Sequence, residues 1–152
     1  MAEQEAPKKD YYAPMHTAEH VLSGTVAKLY GCGRPFTTHI ERKKSKVDFR
    51  TDAAPSREEL DQIEATVNEV LAQSLNVTEE ILSRTEAMER YNLDRLPDDA
   101  GDTVRIVRVG DYDACPCIGE HVSNTREVPP LRIISADSTD GVLRIRFKLQ
   151  AQ

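Results

Sequence analysis

His16 and His20 stand four residues apart in a stretch with helical apolar spacing, so both imidazoles project from one helix face within reach of a single ion. Cys117 and His121 repeat that spacing far along the chain, in a segment whose proline and glycine let the backbone wrap around a ligand. Together they offer three nitrogens and one sulfur, a mixed imidazole and thiolate set that suits tetrahedral zinc. Either pair alone is more often an ordinary surface or a satisfied core contact. The economy of the two pairs favours a metal, because they use three of only four histidines and one of three cysteines.

A chain of 152 residues with 39% hydrophobic content can bury one core but hardly two, so a single domain is expected. No apolar run approaches the roughly 20 residues of a membrane span. The charged start lacks the apolar segment of a secretory signal, and a cytoplasmic protein is expected. An odd number of cysteines without an export signal argues against a disulfide framework. The net charge of −6 is uneven, with basic ends and an acidic middle, so an RNA partner is allowed where it meets the basic parts. Neither a membrane nor a DNA partner is expected.

Several elements must position the four residues. Pro14 suits a first helical turn, and Met15, Ala18, Val21, Leu22, Val26 and Leu29 recur at helical spacing until Gly31 can cap the end. Gly24 in the middle costs about 1 kcal/mol relative to alanine and suggests close packing against a neighbour or a tolerated weakness. Residues 36–42 and 46–51 read as a hairpin turning at Lys43, Lys44 and Ser45. Ser56 with Glu59 forms a capping box ahead of a second long helix whose face runs through Leu60, Ile63, Val67, Val70, Leu71 and Leu75. Residues 77–83 read as a strand, 85–91 as a short helical stretch, and 103–109 as a partly buried strand in which Val107 breaks the alternation. Residues 131–135 and 142–149 close the chain as strands around Asp140-Gly141. The interleaving lacks the repeated βαβ spacing of a doubly wound sheet. The expected architecture is therefore α+β: a mainly antiparallel sheet packed by two long helices, with the zinc site between the first helix and a late loop, over residues 12–152 after a flexible arm 1–11.

His16-Thr-Ala-Glu-His20 at the head of the first helix, followed by Cys117-Ile-Gly-Glu-His121-Val-Ser-Asn-Thr, resembles the HxxxH and CxxxH motifs of the alanyl-tRNA synthetase editing domain. The same module occurs in threonyl-tRNA synthetases and in freestanding AlaX trans-editing proteins. The hairpin after the first helix, the Arg-Ile-Val-Arg-Val strand and the final Gly141-Val-Leu-Arg-Ile-Arg-Phe strand fit the resemblance as well. It implies zinc held by His16, His20, Cys117 and His121, aminoacyl-tRNA as partner, and hydrolysis of the ester of a mischarged tRNA: serine or glycine on tRNA for alanine, or serine on tRNA for threonine. With no room for an aminoacylation domain, such a chain is expected to act in trans. The alternative is a zinc-stabilised RNA- or partner-binding module without hydrolase activity.

The second motif of the family usually reads Cys-Gly-Gly-Thr-His, and here Ile118 and Glu120 replace the first glycine and the threonine. Ile118 would narrow the pocket where a glycine lets backbone approach a ligand. Glu120 is open to three readings: a solvated loop residue, a general base for the attacking water, or a ligand or partner orienting a histidine. Cys115 is the rival for the sulfur, although Cys117 has the family spacing. Glu19 is not the glutamate of the HExxH protease motif, which follows the first histidine directly. Thr37, Thr38 and His39 fall where the family lines its amino-acid pocket, or else lie on a half-exposed strand. Arg42, Lys43, Lys44 and Lys46 either meet tRNA phosphates or form a solvated turn.

Overall fold

The computed structural model describes residues 12–91, 102–117 and 119–150; the expected arm 1–11 and Ile118 lie outside the described residues. The first helix, α1, spans Ala13–Tyr30, with Pro14 in its first turn and Gly31 ending it in the left-handed conformation at φ 62°. Strands β1 (Thr37–His39) and β2 (Ser45–Arg50) follow. The hairpin is shorter than its sequence suggests: Ile40 is buried and pulls residues 40–44 out of the ladder, whose register pairs His39 with Lys46. Helix α2 covers Arg57–Leu71 and opens on the complete Ser56/Glu59 capping box. It ends before Leu75, because Ala72 caps it and Ser74 turns the chain at φ 56°.

Strand β3 (Val77–Ser83) runs into the short helix α3 (Arg84–Arg90) through a second capping box, Ser83 with Glu86. Strands β4 (Thr103–Val109) and β5 (Asp113–Pro116) come next, the latter a strand that two cysteines around a proline conceal in the sequence. After a single turn of 3-10 helix at Thr125–Glu127, β6 (Leu131–Thr139) and β7 (Val142–Leu149) form a hairpin. Asp140 and Gly141, at φ 53° and 80°, supply the paired positive dihedrals of a tight two-residue turn. A bulge between Ile133 and Ser135 lets β6 continue past the expected end at Ser135.

The α+β expectation holds, with one difference: the strands form two antiparallel sheets, ordered β1-β2-β7-β6 and β3-β4-β5. Val47, Phe49, Leu143, Ile145 and Phe147 line the inner face of the larger sheet and pack in one core with the apolar stripes of α1 and α2. Helix α2 also protects the edge of that sheet. Asn68 both donates to the Leu131 carbonyl and accepts from its amide, and Glu64 accepts from the Ile133 amide, so these backbone groups of β6 are satisfied. The smaller sheet keeps a satellite cluster of Leu82, Ala87, Val104 and Ile106.

Helix α1 lies between these two bodies, and every residue from Met15 to Val26 is buried. Leu29, expected on its apolar face, is 57% exposed because the helix runs past the core. Burial on all sides puts His16, Thr17, Glu19, His20, Ser23 and Thr25 in the interior, where each polar group needs a partner. Among the described residues no helix is long and apolar enough to cross a membrane.

Candidate metal centre

The buried polar stripe of α1 faces the segment that leaves β5. One candidate ligand atom from each of His16, His20, Cys117 and His121 lies within 4.8 Å of the others. Cys117 is central: its Sγ is 3.3 Å from His16 Nε2 and 3.4 Å from His121 Nε2. The imidazoles of His16 and His121 stack with centroids 4.1 Å apart, and His20 meets both edge-on. These four residues can hold a metal ion.

Contacts on the far side of two rings set their orientation. His16 Nδ1 is 3.1 Å from the carbonyl oxygen of Glu120, an acceptor only, so Nδ1 donates and Nε2 keeps its lone pair. His121 Nδ1 is 3.0 Å from Thr17 Oγ1, which also accepts from the Val122 amide at 3.2 Å. Held at Nδ1 by Thr17, the His121 ring likewise turns its Nε2 to the sulfur. Thr17 went unnoticed in the sequence; its signal is the hydroxyl between two spaced histidines on a helix.

Gly119 makes this packing possible. A Cβ there would sit 2.3 Å from His16 Cε1, so any side chain would collide with the His16 ring. The loop is anchored by Arg105 of β4, which donates to the carbonyls of Cys117 (3.1 Å) and Gly119 (2.7 Å) while pairing with Glu79 at 2.8 Å. This guanidinium bracket is invisible in a linear reading, where Arg105 is one of several alternating arginines.

Burial pushes the Cys117 thiol above its usual range, opposed by the Gly119 amide. Burial, with His16 and Arg105 nearby, holds His121 down from 6.5 to about 3. The ring is therefore neutral, as a ligand must be. The same shift sets a pH dependence for the metal-free protein. Between pH 6.5 and about 3 the unfolded chain takes up a proton at His121 that the folded chain refuses, so stability falls with pH through that window. Denaturant titrations at pH 7 and pH 4 should differ by on the order of 3 kcal/mol from this group, and His121→Gln should flatten the difference.

The other expected site residues have partners of their own. Thr37 is exposed and donates to Asp48 Oδ2 at 2.8 Å, and the exposed His39 pairs with Glu41. Thr38 is half-buried between them. Glu120 is exposed, and its carbonyl rather than its carboxylate holds His16. Cys115 faces His20 instead of the other two rings, 3.4 Å from His20 Nδ1. Burial raises its thiol far above the ordinary value. Arg42 stacks on the Tyr12 ring at 4.5 Å.

Residues 104–146 match the Threonyl and Alanyl tRNA synthetase second additional domain. The alanine–tRNA ligase of Fervidobacterium nodosum is 34% identical over 132 residues, covering 86% of this chain and 15% of that protein. The alanine–tRNA ligase of Pyrococcus abyssi is 35% identical over 141 residues, covering 87% and 15%. That of Leptospira biflexa is 31% identical over 144 residues, covering 90% and 15%. The chain thus spans about 15% of the length of these curated relatives.

Proposed function

Since the chain belongs with the editing-type second additional domains of threonyl and alanyl tRNA synthetases, we propose that its His, Cys cluster is a zinc centre that hydrolyses mischarged aminoacyl-tRNA. The substrates of this reading are serine or glycine esterified to tRNA for alanine, or serine on tRNA for threonine. The observation that carries it is the turning of His16 Nε2 and His121 Nε2 toward Cys117 by protein contacts at the opposite nitrogens. Neutral imidazoles and a thiolate are the donor set that zinc takes.

A bound zinc ion supplies Lewis acidity toward a carbonyl oxygen or a bound water. The chain's own residues do the rest. Thr17 and the Glu120 carbonyl fix two ligand rings, and Arg105 holds the loop that carries Cys117. We assign the exposed Glu120 carboxylate, next to His121, to accept a proton from the attacking water. Charged tRNA as substrate makes the cytoplasm the expected compartment.

The test is a panel of mischarged tRNAs presented to the purified protein, beside metal analysis. Serine or glycine release is expected, lost on chelation and restored by zinc. Glu120→Gln should lower kcat by roughly 100-fold while zinc content is unchanged. If zinc is bound and no member of the panel is deacylated, the function is that of a zinc-stabilised binding module.

A further inference from the structure

His16 and His121 meet the Glu120 carbonyl and Thr17 at Nδ1, and His20 points its Nδ1 toward a buried group on β5 that packs against the same face of α1 through Gly24. Asp113 and Cys115 alternate along β5 and so share one face of the strand. Cys115 Sγ lies 3.4 Å from His20 Nδ1, and Asp113 Oδ2 lies 3.8 Å from it. The Asp113 side chain is only 5% exposed. Its Oδ1 accepts from Arg34 Nη1 at 2.7 Å, whereas the buried Oδ2 has no hydrogen-bond partner.

Two features bring this carboxylate against the helix. Arg34, from the turn after α1, fixes one oxygen. Gly24 provides the space, since a Cβ there would be 2.6 Å from Asp113 Oδ1. The glycine in the middle of α1 thus marks a close approach, not a tolerated weakness.

We propose that Asp113 is the positioning residue of His20, accepting its Nδ1–H once Nε2 is given to the ion; this rests on the metal reading above. When Nε2 coordinates, Nδ1 must carry the proton and needs an acceptor. A thiol is a weak acceptor and a carboxylate a strong one, so a small turn of the ring closes the 3.8 Å gap onto Oδ2. His20, Asp113 and Cys115 also meet the spacing of a metal set of their own. A second cation is opposed there by the Arg34 guanidinium, which already sits on Asp113.

The experiment measures zinc stoichiometry and affinity by competition with a chromophoric chelator, and the visible spectrum of the cobalt-substituted protein. Wild type should bind one ion. Asp113→Asn, which keeps the shape, should lower affinity 10- to 100-fold at unchanged stoichiometry and shift the cobalt bands. Gly24→Ala keeps both charges but displaces the carboxylate, and should weaken binding in the same direction. Affinities within twofold of wild type for both variants, or two ions per wild-type chain, would overturn the assignment of Asp113. Failure of the wild type to bind any ion would instead overturn the metal reading itself.

Discussion

Replacing Gly119 with alanine is expected to cut zinc affinity at least tenfold while the metal-free protein still folds. The new methyl would lie 2.3 Å from His16 Cε1 and 2.6 Å from Nδ1, well inside van der Waals contact. The colliding group cannot swing away freely, because His16 is 6% exposed and tied through Nδ1 to the Glu120 carbonyl. Either the ring turns and loses that bond, or the loop lifts and moves Cys117. Both outcomes spoil the Nε2–sulfur geometry on which a four-coordinate ion depends. The folding cost should stay at the about 1–3 kcal/mol typical of a crowded interior, since the core of α1, α2 and the larger sheet is untouched. Metal analysis after dialysis, with a denaturant curve of the metal-free variant, checks both parts. Full zinc occupancy in Gly119→Ala would show that the ring has room which the backbone denies it.

Cys117→Ala should have the larger effect on metal-linked stability. A ligand at about 1,000 times its dissociation constant stabilises the folded state by about 4 kcal/mol, which for a domain of this size raises Tm by roughly 10 °C. That increment should vanish in Cys117→Ala, whose histidines would surround a position without sulfur. Cys115→Ala should keep most of it, because Cys115 faces His20 on the other side of the ring cluster. Thermal melts with and without zinc separate the two cysteines. Equal loss in both variants would mean that the sulfur ligand has been misassigned.

Much of the scaffold is legible in the residues themselves because it is local. Helical periodicity and Pro14 locate α1, Ser56 with Glu59 starts α2, and Asp140-Gly141 places the last hairpin. The spacing of His16 with His20 and of Cys117 with His121 picks out the four residues that the fold gathers. What escapes a linear reading is long-range. Thr17 meets His121, Arg34 meets Asp113, and Arg105 brackets the loop carbonyls only after the sheets have formed. Strand β5 is hidden for a related reason, since Asp113, Ala114 and Pro116 have low strand preference and are held by pairing with β4. Periodicity also gives a helix an apolar face and a polar one, and it implies water on the polar side. Here the smaller sheet covers that side, and the polar stripe becomes the site.

Helix α1 carries His16 and His20 with the main core on one flank, whereas Cys117 and His121 hang from the strand system with the satellite cluster of Leu82, Ala87, Val104 and Ile106. An ion shared among them is a cross-link between two units of unequal intrinsic strength. Without it, the smaller sheet has few apolar contacts of its own to oppose local opening, and its amides should exchange with solvent well before those of β2 and β7. With it, opening the smaller sheet means breaking metal bonds, so the two units share one cooperative transition.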